Sequence, residues 1–153
     1  MININGMQHV VLTVSQFEVA RTFYKRLLPA LGLKLVFDGE DYFYHVGART
    51  AVGVQPCAPE YAGERFVQLR IGLHHFCFRA RSRKDVDATH ELLLEMNAHV
   101  VTPPGDGGWV PGYYYVLFED PDGIRLEVAF VPNKGVLAES VEFNPGQNFK
   151  RKP

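Results

Sequence analysis

The chain states one plan twice, and an internal repeat constrains a fold more tightly than any single motif does. His9-Val-Val-Leu-Thr-Val14 leads into Ser15-Gln-Phe-Glu18, and His75-Phe-Cys-Phe-Arg-Ala80 leads into Ser82-Arg-Lys-Asp85. Each opening run is β-branched or aromatic and predicts a strand. Each S-x-x-E or S-x-x-D that follows is the capping-box pattern of a helix start.

After Ser15, the residues Phe17, Ala20, Phe23, Tyr24, Leu27, Leu28 and Leu31 recur at helical spacing, with Gly32 placed for a left-handed C-terminal cap. After Ser82, a second stripe of Val86, Thr89, Leu92, Leu93 and Met96 stops at Asn97, which also tolerates that conformation. Strand-like runs follow each helix, at 33–37, 42–46 and 50–55 in the first half and at 98–101, 113–118 and 124–131 in the second. The prediction is an α+β fold of two βαβββ modules in a single domain, 1–153. Module 1 covers about 7–56, a Pro/Gly-rich linker about 57–72, module 2 about 73–131, and a polar tail 132–153 wraps the surface or a partner chain. A second Pro/Gly-rich stretch, 103–112, reads as a long loop in module 2. Each four-stranded sheet leaves one apolar face bare until it meets another.

With 46% hydrophobic and 22% charged side chains in 153 residues, the chain can bury a core, which argues against disorder. Its 16 basic and 17 acidic residues are interspersed, so the basic footprint that nucleic acid or an anionic membrane surface requires is absent. Apolar stretches such as 10–14 and 124–131 fall far short of the roughly 20 residues that cross a bilayer. The polar start Met1-Ile2-Asn3 is not a signal peptide. These features predict a cytoplasmic protein with no nucleic-acid or membrane partner. Cys57 and Cys77 stand in unlike contexts without CxxC spacing, which indicates neither a disulfide framework nor a thiolate zinc site.

His9 and His75 head equivalent strands, so a real repeat relates them by a pseudo-twofold axis and lets them converge. Taken singly, either histidine is more often a satisfied or solvent-exposed residue. Glu127 stands within the nearly continuous apolar run Ile124-Arg-Leu-Glu-Val-Ala-Phe-Val131. An ionised carboxylate removed from water costs several kcal/mol unless it is paired or bound to a cation. An ion pair with Arg125 or an exposed strand end would satisfy it as well. If the three gather, two imidazoles and one carboxylate leave positions open for water or substrate, as a catalytic metal site does. One divalent ion, Fe, Mn, Co, Ni or Zn, suits those donors.

Two segments carry a family resemblance: Gly72-Leu-His-His75-Phe-Cys-Phe78, and Tyr113-Tyr-Tyr-Val-Leu-Phe-Glu-Asp-Pro-Asp-Gly-Ile-Arg-Leu-Glu127. Over roughly residues 7–131 the chain resembles the glyoxalase, bleomycin-resistance and extradiol-dioxygenase superfamily, whose metal glutamate follows a DPDG turn as Glu127 does here. Gln8-His9-Val-Val-Leu12, with Phe23-Tyr24 in the next helix, is similar to the family's opening. The resemblance implies a vicinal-oxygen-chelate, glyoxalase-like cupped sheet, with metal ligands His9, His75 and Glu127. It also implies a homodimer, in which exchanged modules would bring His9 of one subunit to His75 and Glu127 of the other; family members also pair their modules within one chain. In glyoxalase-type members a fourth, acidic ligand comes from the last strand of module 1, where this chain has Gly53 or Ala51, with Gln55 nearby. Extradiol dioxygenases place a catalytic tyrosine where this chain has Leu117; Tyr113 and Tyr115 share its strand parity and either face the cavity or pack.

The implied function is divalent-metal-dependent lyase, isomerase or addition chemistry on a small oxygenated metabolite or xenobiotic that chelates the ion, which acts as a Lewis acid. The implied catalytic residues are Glu127 and Tyr115. Tyr113, Tyr115, Arg125, His45 on the third strand, and Trp109 as a lid or a staple are the implied substrate contacts. His74 should face the other side of the sheet from His75, and His90 and His99 read as solvated or capping residues. Two alternatives remain: an iron(II) extradiol-type dioxygenase, weakened by Leu117, and a drug-sequestering, bleomycin-resistance-like binding protein, weakened by the three retained ligand types.

Overall fold

The computed structural model describes residues 2–139, 141 and 143. Its elements run β1 (His9–Val14), α1 (Phe17–Ala30), β2 (Lys34–Asp38), β3 (Phe43–Val46), β4 (Ala51–Pro56), β5 (Phe76–Arg79), α2 (Arg83–Glu95), β6 (His99–Asp106), β7 (Tyr114–Glu119) and β8 (Arg125–Phe130). Two units are distinguished, residues 1–67 with 121–123, and residues 68–120 with 124–153. The sheet of the first has the order β1-β4-β3-β2, that of the second β5-β8-β7-β6. In each, the first strand lies parallel to the last and the other pairs are antiparallel. This is the α+β arrangement of two βαβββ modules that the repeat predicts.

Period-two alternation and period-3.6 stripes meet on one face of each sheet. In the first unit Leu12, Val14, Phe43, Val52 and Val54 are buried together with Ala20, Tyr24, Leu27 and Leu28 of α1. In the second, Val86 and Leu93 of α2 are buried with Val116, Phe118, Leu126 and Val128. Each such Leu or Val contributes about 2 kcal/mol on leaving water. Among the described residues no helix is long and apolar enough to cross a membrane.

Three of the four helix ends follow the sequence. Ser82 caps α2, accepting from the Asp85 amide at 3.3 Å and donating to its carboxylate at 2.8 Å. Gly32 at φ +85° and Asn97 at φ 51° take the left-handed conformation past the two C-termini. The start of α1 departs from the expected Ser15 capping box. Gln16 is the N-cap and its side chain makes no cap bond; instead, Ser15 Oγ donates to Asp122 Oδ1 at 2.8 Å and the Gln16 amide to Asp122 Oδ2 at 3.3 Å. A full negative charge at the positive end of the helix dipole outcompetes a hydroxyl.

β6 also runs further than predicted, through Pro103 and Pro104 to Asp106. It is the edge of its sheet, where a missing N–H costs no ladder bond. Its register shifts between Val100 and Thr102 and again between Thr102 and Gly105, which absorbs the prolines. The expected long loop is thereby shortened. The tail is described only in part, and its predicted wrapping falls largely outside the described residues.

Candidate metal centre

Both faces of β8 are covered. Leu126 and Val128 lie toward α2, so alternation turns Glu127 to the other face, where it is 4% exposed. In register, Cys77 of β5 and Leu117 of β7 flank it. Glu127 Oε1 accepts a short hydrogen bond from the Tyr113 hydroxyl and lies 3.6 Å from the Cys77 thiol. Its Oε2 faces His75 Nε2 at 3.4 Å.

That last separation is longer than the roughly 2.7–3.2 Å of an ordinary N–H···O bond. Two ligands about 2.1 Å from one ion stand about 3.0 Å apart at a right angle and about 3.4 Å apart at the tetrahedral angle. The other imidazole nitrogen supports the same reading. His75 Nδ1 is 2.6 Å from His74 Nδ1, which is 3.3 Å from the amide nitrogen of Gln68. A hydrogen bond between the two Nδ1 atoms needs a proton on one of them, and with that proton on His75 Nδ1 the neutral ring keeps its lone pair on Nε2. In that tautomer Nε2 aims its lone pair at Glu127 Oε2, which also has only lone pairs to offer. A cation between them resolves that repulsion, and one imidazole with one carboxylate is a donor set for a divalent ion.

His74 does not face away from His75. The β5 ladder starts at Phe76, paired with Leu126, so both histidines precede it and strand alternation does not govern them; their rings meet edge to face at 4.9 Å. Cys77 is exposed as a residue, but desolvation of its Sγ against β8, then the Glu127 charge, pushes the thiol up, and it stays protonated. Burial and the bond to Glu127 likewise raise Tyr113, which stays a neutral donor.

His9, the third predicted ligand, belongs to the first unit, where it opens β1 opposite Ala51. Among the described residues no three His, Cys, Asp or Glu side chains gather into a metal-holding group. The two registers show what stands at the counterpart of Glu127: Cys77 and Leu117 flank Glu127, whereas Val11 and Tyr44 flank Gly53. A Cβ on Gly53 would collide with the Tyr42 ring, so this phenol fills the place of a fourth acidic ligand. Nothing in the sequence singles out Tyr42; a glycine opposite a Tyr-Phe-Tyr run was the available signal. Gln55 is exposed and bonds Thr13 Oγ1 at 3.2 Å.

The aromatic candidates form one cluster. The Trp109 ring packs 5.0 Å from both Tyr113 and Tyr115, and the two tyrosine rings are 5.8 Å apart. Tyr115 pairs with Ala129 two residues past Glu127 and so shares its face. Trp109 folds against Gly107, where a Cβ would clash with the indole, and it staples the loop while adding a wall to that face. Arg125 pairs with Glu119 at 3.3 Å, and Glu119 with His99 at 2.9 Å, so its guanidinium is already engaged at the rim.

His45 is a correction to the predicted substrate contacts. It pairs with Val52, whereas His9 pairs with Ala51, so it projects to the α1 side of the sheet, fully buried and edge to face with Phe43. Neither ring nitrogen has a hydrogen-bond partner among the described residues. Burial, reinforced by the Lys25 ammonium and opposed by the Asp38 carboxylate, holds it below the ordinary imidazole value. Because the unfolded chain then takes up the proton more readily, stability falls as pH drops below about 6.5. His45→Phe should remove that part of the acid sensitivity and add about 1–2 kcal/mol at neutral pH. Urea unfolding between pH 7.5 and 5 checks this; parallel curves for both proteins would refute it.

A sequence model described as the Glyoxalase/Bleomycin resistance protein/Dioxygenase superfamily matches residues 6–128. The Bacillus subtilis (strain 168) protein YqjT, itself uncharacterised, is 33% identical over 132 residues, 80% of this chain and 96% of YqjT. Metallothiol transferase FosB of Shouchella clausii (strain KSM-K16) is 31% identical over 139 residues, 89% of this chain and 84% of FosB. Among solved structures, a glyoxalase-like protein from Bacillus halodurans superposes with a TM-score of 0.74 at 26% identity, covering 83% of this chain and 96% of its own. A lactoylglutathione lyase from Agrobacterium tumefaciens shares the fold with a TM-score of 0.62 at 19% identity, covering 83% and 94%.

Proposed function

Since this chain belongs to the glyoxalase/bleomycin resistance protein/dioxygenase superfamily, we propose that it is a divalent-metal-dependent enzyme acting on a small oxygenated compound through lyase, isomerase or addition chemistry. The observation that carries the reading is His75 Nε2 set 3.4 Å from Glu127 Oε2, the spacing of two ligands on one ion. Similarity to a metallothiol transferase favours addition, with a thiol as the second substrate. When bound, the ion supplies Lewis-acid stabilisation of charge developing on substrate oxygen. His75 and Glu127 would hold it, with His9 as third ligand, and His74, backed by Gln68, meets His75 Nδ1 and orients the ring from behind. Cys77 stays a thiol and offers no rival thiolate, while Trp109 and Tyr115 line the same face with aromatic surface that limits water. A homodimer with exchanged modules would complete the ligand set with His9 of the other subunit, and pairing of the two modules within one chain would complete it equally.

Metal-stripped full-length protein titrated with Mn²⁺, Zn²⁺, Ni²⁺ and Fe²⁺ should bind one ion per chain as a dimer and then consume thiol in the presence of small oxygenated electrophiles. His75→Ala should lose both properties. A metal-loaded monomer would sink the exchanged arrangement. Oxygen uptake on catechols by the iron form would replace this reading with the dioxygenase, and stoichiometric ligand capture untouched by His75→Ala would replace it with a sequestering protein.

A further inference from the structure

We propose that Tyr113 is a positioning residue: its hydroxyl anchors Glu127 Oε1 and thereby leaves Oε2 as the oxygen turned to His75. This rests on the metal reading of the site. Two donors, the Tyr113 hydroxyl and the Cys77 thiol, converge on Oε1, while His75 Nε2 stands at Oε2. The two oxygens of one buried carboxylate are therefore divided between protein and open site. A carboxylate that accepts from a phenol loses its freedom to rotate before any ion arrives, which is what a partner behind a metal ligand supplies.

The phenol is itself held. Tyr113 lies just ahead of β7, where the ladder no longer fixes its direction, and the chain fixes it by other means. Its amide donates to Val110 O at 3.0 Å, its carbonyl accepts from the Gly107 amide at 2.9 Å, and its ring packs on Trp109 and Tyr115. The loop that carries Trp109 thus sets the aim of a hydroxyl that acts through Glu127. A substrate-binding role for Tyr113, which strand parity alone suggests, would need the same hydroxyl to leave a charge-assisted bond worth more than an ordinary one.

The test compares metal dissociation constants of full-length wild type, Tyr113→Phe, Tyr115→Phe, Trp109→Ala, His75→Ala and Glu127→Gln, by Mn²⁺ or Zn²⁺ titration, alongside melting of each metal-free protein. Tyr113→Phe should bind about 10–100-fold more weakly, Trp109→Ala more weakly in the same direction, and Tyr115→Phe as wild type. A merely structural role would lower metal-free melting and leave the affinity of the folded protein unchanged. That outcome, with His75→Ala and Glu127→Gln devoid of metal binding, overturns the positioning role alone. Unchanged binding in His75→Ala and Glu127→Gln overturns the metal reading and this inference with it. If Tyr113→Phe fails to fold, Trp109→Ala decides: wild-type affinity there also overturns it.

Discussion

Glu127→Gln is expected to abolish metal binding while leaving the metal-free protein at least as stable as wild type. The two halves of this result have one cause. Glu127 is 4% exposed among Leu126, Val128 and Ala129, and holding a carboxylate there costs several kcal/mol of lost hydration. Without an ion, its Oε2 stands 3.4 Å from His75 Nε2, beyond the reach of an ordinary N–H···O bond. A glutamine amide removes the charge, keeps an oxygen for the Tyr113 hydroxyl, and turns an N–H toward His75 Nε2, where a hydrogen bond can form. One new hydrogen bond contributes about 1 kcal/mol, or about 2–4 °C in a chain of this size. The cation loses a charged ligand, and its affinity should fall by more than the roughly 100-fold that losing a partner behind a ligand costs. Calorimetric metal titration and metal-free melting measure the two halves. A variant that melts well below wild type without metal would show that Glu127 is held for stability, and one that still binds metal would remove it from the site.

The contrast between Glu127 and His45 shows how far residue type and spacing reach. Both are polar groups on apolar strands, and both were legible as anomalies. A period of two places Glu127 on the face turned away from α2 once the helix-covered residues are known, and the same period places His45 under α1. Which face is which depends on packing, and packing is not written in a single strand. The repeat made the two βαβββ modules readable because each half has to solve the same burial problem. Outer contacts were less accessible. The bonds of Tyr113 and Cys77 to Glu127 join residues 14 and 50 apart, and the His74–His75 contact arises because the ladder begins one residue later than the sequence suggests. Gly53 was visible as a missing acid, but the phenol covering it comes from Tyr42, two residues ahead of the residue paired with Gly53.

Asp122→Ala should be the most destabilising single change outside the core. In the DPDG turn the sequence offers Asp122 as a turn former; the structure gives it the start of α1 to hold. Its carboxylate takes the Ser15 amide, the Ser15 hydroxyl and the Gln16 amide, and it is 3% exposed, so water is poorly placed to substitute. A side-chain cap is worth up to about 2 kcal/mol, and a hydrogen bond to a charged acceptor about 1.5–3 kcal/mol; the contributions share one group and do not add. A loss of about 3 kcal/mol follows, or about 6–12 °C in melting temperature. Asp122→Asn keeps one of the two acceptor oxygens, turns an amide NH2 toward the donors that met the other, and loses the charge that favours the helix dipole, so it should cost about 1–2 kcal/mol. The Phe66 amide bonds the Asp122 carbonyl at 2.9 Å, a contact both variants keep, and the turn's return, with the Ile124 amide on Asp120 Oδ1 at 2.8 Å, does not involve residue 122. Metal affinity of the folded variant should therefore equal that of wild type. Equal melting of Asp122→Ala and wild type would mean that Ser15 or Gln16 caps α1 unaided, and that the capping box read from the sequence is the contact that counts.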